Sequence, residues 1–242
     1  MNLLREKFSR LEKTSWLRLF VREVYNNPFF GFLKFSYFYL YCSYISYKIF
    51  GFGLKPKVFF TGDIFSVHVK KDKAARVTYN CKVPLIFESW CGGRNTSALI
   101  LESNSHFHLE NEFSLGNGVK IVLSKNSNLN VFGALNSSSG ITAESVIIVC
   151  KNITLGYDTI ISWNCYITDS SQHKINGFEK VESVFIGNNV WLSEGVTVGP
   201  GVTISNGSVI GAKSFVNKSI GEKVFAAGCP AKVISVGIYW ER

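Results

Sequence analysis

A mainly β chain wound as a parallel β-helix is predicted by three features of this 242-residue sequence. Residues 186–221 repeat in sixes, IGNNVW LSEGVT VGPGVT ISNGSV IGAKSF VNKSIG, and Ile186, Leu192, Val198, Ile204, Ile210 and Val216 open the hexads. A branched or small residue returns at the fifth place, as Val190, Val196, Val202, Ser208, Ser214 and Ile220. Small or turn-tolerant residues, Gly187, Ser193, Gly199, Ser205, Gly211 and Asn217, follow each opening aliphatic, where a corner calls for φ above zero. Neither a helix nor an alternating strand has this period, whereas a β-helix makes one short strand and one corner from each hexad. The opening aliphatics then point inward, and burial of each contributes roughly 1.5–3 kcal/mol.

The chain begins differently. Residues 1–55 read as a basic, aromatic-rich helical segment. Leu3, Leu4, Phe8, Leu11, Ser15, Leu19 and Arg22 recur at steps of three and four, the pattern of an amphipathic helix that ends at Asn26, Asn27 and Pro28. In the aromatic stretch that follows, the longest run without a charge, Phe35 to Tyr47, is 13 residues, against about 20 for a membrane-spanning helix. Two expectations follow: a helix lying in the interface of a membrane, or one packing on the β-helix or a second subunit. Residues 1–57 carry ten Lys or Arg against three Glu, so they hold +7 of the formal +9. The excess sits on an aromatic helical segment, which argues for an anionic membrane surface and against nucleic acid. The first 25 residues are charged throughout, so no cleavable secretory signal is expected. Six cysteines without a CxxC pair read as reduced thiols of a cytoplasmic protein, placed at most peripherally on the inner face of the membrane.

Residues 56–98 read as a β lead-in, with Val67, Val69, Val77 and Val83 as its apolar positions. The coils are expected over 99–235, followed by a tail at 236–242. Leu109, Leu115 and Ile121 share one phase, and after a shift Val131, Ser137, Ala143, Val149, Leu155, Ile161 and Ile167 share another, accompanied by Leu135, Ile141, Ile147 and Ile153. Three hexads make an 18-residue coil, so 99–221 predicts roughly seven coils at about 4.8 Å spacing. From Ile167 to Ile186 is 19 residues, and the intervening HKINGFEKVESVF lacks the pattern, which predicts a loop at about 171–183. A solenoid gains nothing from an insertion, so the insertion marks a functional face.

His173 opens that loop in ITDSSQH, with Asp169 four residues before it. An imidazole, of ordinary pKa about 6.5, takes a hydroxyl proton at neutral pH, and a carboxylate beside it orients the ring. Residues 149–235 resemble the left-handed parallel β-helix, or hexapeptide-repeat, acyltransferases, most of all the branch of galactoside, maltose and polysaccharide O-acetyltransferases. The segments that carry the resemblance are ITDSSQH, VFIGNNVWLSEGVTVGPGVTI, SVIGAKSFVNKSI and AAGCPAKVI. The resemblance implies a left-handed coil, a homotrimer, acetyl-CoA bound between neighbouring prisms as acetyl donor, and His173 as the general base. It also implies that Trp191 lines the acceptor or acetyl end, and Trp163 is grouped with it as substrate-binding. For the cofactor it implies Ala212 against the pantetheine arm, Asn217 and Lys218 near the nucleotide and Lys232 at its phosphates. Glu194 falls where the family often has a small residue touching the cofactor. Asp169 aligns with an acidic residue common in this branch.

The leading expectation is therefore an acetyl-CoA-dependent O-acetyltransferase acting on a sugar hydroxyl of a bacterial surface polysaccharide or its lipid-linked precursor. No metal is expected, because a zinc hydratase on this fold needs about three converging histidines and only His106 and His108 lie near one another. The alternative from another class is a non-catalytic scaffold or glycan-binding solenoid.

Overall fold

The computed structural model describes residues 16–26 and 28–241. The period of six becomes three parallel sheets, each a face of a triangular prism. Face one has nine strands, eight of them parallel from Val58–Thr61 to Val224–Gly228 and the ninth, Ala231–Val236, antiparallel at the end. Face two has seven, from Val67–Lys71 to Phe215–Val216, and face three six, from Arg76–Tyr79 to Thr203–Ile204. The chain visits the faces in turn, so each strand pairs with the strand one coil later. The parallel strands of face one span about 34 Å at ordinary sheet spacing.

All six opening aliphatics of 186–221 are buried, as are the fifth-place residues. Two of the latter are polar and bonded: Ser208 Oγ donates to the Gly221 carbonyl at 2.7 Å, and Ser214 Oγ to that of Gly211 at 2.6 Å. Positive φ does not fall at the second place of the hexad, as the glycines there predict, but at the fourth: Asn189, Gly195, Gly201, Gly207 and Lys213. Second-place glycines serve closeness instead. A Cβ on Gly187 would stand 2.5 Å from Asn206 Oδ1.

The coils start at Val58, so the segment read as a lead-in forms the first coils itself. Seven coils are reached, but from Val58 to Ile220 and not within 99–221. Only the late coils keep the 18-residue period. Trp191 pairs with Val209, 18 residues on, whereas Val58 pairs with Leu85, 27 on, and Val67 with Ser97, 30 on. Leu135 and Ser137, expected inside, are exposed. The corner that holds them is pulled outward by Asp158, whose carboxylate accepts N–H bonds from Leu135, Asn136 and Ser137 at 2.7–3.1 Å.

Helices α1 (Trp16–Asn26) and α2 (Pro28–Phe50) precede the prism; residues 1–15 of the predicted amphipathic helix lie outside the described residues. Proline opens α2, where its missing N–H has no intrahelical partner to lose. The two helices fold back on one another: Trp16 meets Tyr39 at 5.0 Å between ring centroids, Phe20 meets Phe35 at 5.1 Å, and Glu23 pairs with Lys34 at 2.8 Å. Cys42, Ile45, Ser46 and Ile49, at helical spacing, form the buried strip of α2. Its three apolar members join the core of the first coil beside Val58, Phe60 and Val67. Tyr41 Oη donates to the Phe65 carbonyl at 3.0 Å, and the Lys57 N–H to Ser46 Oγ at 2.9 Å, which fix the helix to that coil. No helix among the described residues is long and apolar enough to cross a membrane.

Candidate active site

The coil that carries the predicted loop is the long one near the C-terminal end. Ile160 pairs with Trp191, 31 residues on, where the next coil along the same face takes 18. The extra length leaves between Tyr166–Thr168 of face two and Val184–Ile186 of face three, at the edge the two faces share. It is a braced hairpin: Ser170 pairs antiparallel with Val181, and Ile175 with Phe178 at the tip. Ser170 Oγ donates to Glu179 Oε1 at 2.9 Å, and Gln172 Nε2 donates to Tyr166 Oη at 2.9 Å. Turning the tip needs left-handed backbone, supplied at Gln172, Asn176 and Gly177.

His173 is exposed near the root of this hairpin, and its carbonyl accepts a bond from Ser171 Oγ at 2.9 Å. Its ring bonds to no other side chain among the described residues. Asp169 does not reach it. The Asp169 carboxylate is fully buried and accepts the N–H groups of Cys150, Lys151 and Asn152 at 2.7, 2.8 and 2.7 Å. Both Asp169 oxygens accept from the backbone of the preceding coil, the arrangement Asp158 makes at another corner, and no bond to the His173 ring is present among the described residues.

The other residues singled out fall on two edges. Trp163, Glu194 and Ala212 stack on successive coils where face one turns into face two, with the Gly195 N–H donating to the Trp163 carbonyl at 2.8 Å and the Lys213 N–H to that of Glu194 at 2.8 Å. Trp191 stands at the outer surface of face one beside them, its indole Nε1 donating to Ser162 Oγ at 3.1 Å. His173, Asn217 and Lys218 belong to the opposite edge, where face two turns into face three. Lys232 lies in the antiparallel strand closing face one. Within one chain the two groups are therefore kept apart by the whole width of face two, roughly 20 Å for a hexad of extended chain.

Two tryptophans that carried no motif join the first group. Trp90 precedes a corner that climbs along the prism: Asn95 Nδ2 reaches Glu144 Oε1 at 2.7 Å, and the Trp90 ring meets Trp163 edge-on at 6.3 Å. From the C-terminal tail, Trp240 packs on Trp191 at 5.8 Å and donates from Nε1 to the Asn189 carbonyl at 3.0 Å. Trp90, Trp163 and Trp191 are each 36–41% exposed, so their rings face solvent while their edges are fixed. Residues 183–218 match the model of the bacterial transferase hexapeptide (six repeats).

Among relatives of the hexapeptide segment, WbbJ of Escherichia coli (strain K12), provisionally assigned as a lipopolysaccharide biosynthesis O-acetyl transferase, is 31% identical over 98 residues, covering 35% of this chain and 50% of that protein. SACOL2570 of Staphylococcus aureus (strain COL), provisionally assigned as an acetyltransferase, is 36% identical over 108 residues, covering 34% and 54%. The chain thus spans about half the length of the curated relatives it matches. Among solved structures, the polysialic acid O-acetyltransferase OatWY is 21% identical over 76% of this chain and 91% of that one, with a TM-score of 0.46. The fold is mainly β, a parallel β-helix that carries the hexapeptide repeat and has a helical N-terminal segment.

On the hexapeptide repeat the charges sort by partner. Glu194, acidic where a small residue is usual, has its charge met by Lys213 at 2.8 Å. Lys218 and Lys232 are exposed and pair with no carboxylate among the described residues, which suits them to phosphate oxygens. Cys165, the thiol nearest Trp163, is buried, and burial pushes it up to about 11. It is protonated at neutral pH and makes a poor nucleophile. Among the described residues no cluster of three or more His, Cys, Asp or Glu is arranged to hold a metal ion.

Proposed function

We propose that this protein is an acetyl-CoA-dependent O-acetyltransferase that transfers acetyl to a sugar hydroxyl of a bacterial surface polysaccharide or its precursor. The observation that carries the reading is an exposed, unpartnered histidine on a braced insertion in a hexapeptide repeat. His173 takes the acceptor hydroxyl proton on a ring nitrogen as the oxygen attacks the thioester carbonyl. The carbon–sulfur bond then breaks, and the proton leaves with the coenzyme A thiol. Direct transfer is favoured over an acyl-enzyme because Cys165 is buried and protonated. The half-exposed band of Trp90, Trp163 and Trp191 offers flat faces for a sugar or the acetyl end. Lys218 and Lys232 supply positive charge for the nucleotide phosphates, with Asn217 and Ala212 beside the cofactor's path. Separation of these groups onto two edges is met by a homotrimer, in which neighbouring prisms bring one edge of each to the same groove. The acetyl donor places the reaction in the cytoplasm.

The test is acetyl transfer by His173→Ala to glycan acceptors, followed by release of the coenzyme A thiol. Loss of the base is expected to lower kcat about 10²–10⁴-fold and to leave coenzyme A affinity nearly unchanged. Near-normal turnover by His173→Ala refutes the base. No acetyl-CoA consumption by the wild type with any glycan favours a scaffold or glycan-binding protein.

A further inference from the structure

Helix α2 is apolar on two sides, one buried and one exposed. Its buried strip, Cys42, Ile45 and Ile49, packs on the first coil. On the far side Leu33, Tyr37, Leu40, Tyr44 and Tyr47 follow one another at steps of four, three, four and three, and each is 50–66% exposed. That spacing draws a straight stripe about 21 Å long at 1.5 Å per residue. Lys48 follows Tyr44 by one helical turn, and Phe52 and Lys55 line one hollow with Tyr44 and Tyr47, so the stripe ends in a rim of aromatic rings and cations. An apolar stretch of this size on a protein surface marks an interaction site.

We propose that this face of α2 docks on an anionic lipid bilayer, with Leu33 and Leu40 entering the acyl boundary and Tyr37, Tyr44 and Tyr47 lying at headgroup level. Charge decides between lipid and a second copy of the same helix. Residues 28–50 contain no acidic residue, and with Lys34 paired to Glu23 the cations left at the stripe's end are Lys48 and Lys55, so two such stripes brought together would offer no opposite charge, whereas anionic headgroups would attract them. Three tyrosine hydroxyls in a dry helix–helix seam would need partners, and at a headgroup they have them. Net charge agrees, since residues 1–57 hold +7. One side of the helix thus packs on the β-helix, and the proposal gives the exposed side to lipid.

The test is flotation of the full-length protein with vesicles of phosphatidylcholine mixed with phosphatidylglycerol, against phosphatidylcholine alone. The variant Leu33→Ser/Leu40→Ser/Tyr44→Ser changes exposed positions only, and an unchanged melting temperature confirms its fold. The wild type is expected to float with the anionic vesicles and to leave them at high salt, and the variant to bind about tenfold or more weakly. A wild type that stays off anionic vesicles, or a variant that binds as the wild type does, overturns the proposal. Equal binding to phosphatidylcholine alone overturns the choice of an anionic surface. A smaller oligomer of the variant without lipid shows that the stripe is a subunit contact and overturns it as well.

Discussion

A carboxylate that accepts three backbone N–H groups holds a corner in place, and Asp158 and Asp169 both do this, at 135–137 and 150–152. Removing either takes the acceptor from three partly buried backbone N–H groups, at a cost of about 1–3 kcal/mol. Asp158→Ala and Asp169→Ala are each expected to lower the melting temperature by several degrees, about 2–4 °C per kcal/mol at this size. Differential scanning calorimetry checks this, and an unchanged melting temperature for both would show that the corners do not need the clamp. Activity separates the two possible roles of Asp169. If it positions only the loop, Asp169→Asn lowers kcat without moving the pH profile; a group that orients and charges the imidazole would move the profile. Sequence spacing put Asp169 within reach of His173, but reach carries no direction. The chain turns from face two into the hairpin at this residue, and the side chain points down the prism into the preceding coil.

Among the elements, the late hexads were legible because their coils have the 18-residue period, so each inward side chain recurs in phase. The first coils take longer sides, and strands such as Val67–Lys71 alternate buried and exposed over five residues, which reads as ordinary β structure without a visible six. Helix α2 was legible as helical and aromatic, whereas its two-sidedness needed the position of the first coil. The joint between the helices rests on Gly31, where a Cβ would stand 2.0 Å from the Glu23 carbonyl oxygen. That atom belongs to backbone and cannot swing aside. Gly31→Val is therefore expected to part α1 from α2, costing about 1–3 kcal/mol by overpacking and breaking the contact of Trp16 with Phe59 at 5.0 Å. Limited proteolysis should then cut between the helices while the prism stays resistant. A variant as resistant as the wild type would show that the helices shift to admit the methyl groups.

At the scale of the whole molecule, the repeat pattern revealed a prism and the motif segments revealed candidate residues, but which edge each residue occupies depends on coil lengths that no motif encodes. Trp90 was missed for that reason: it reaches Trp163 only because the corner after it runs along the prism. With Trp163 and Trp191 on the edge between faces one and two, and His173 on the edge between faces two and three, a site that uses both must draw them from two copies. Mixed assemblies test this. His173→Ala protein and Trp163→Ala/Trp191→Ala protein, each nearly inactive alone, are co-expressed in equal amounts with different tags, and assemblies carrying both tags are purified. If each site takes the histidine from one copy and the tryptophans from its neighbour, every trimer carrying both tags keeps about one site in three intact, and activity returns to that order. If one chain supplies both, every site lacks one or the other and mixing restores nothing. Light scattering on the same samples fixes the number of copies, and a monomer with full activity would refute the shared site outright.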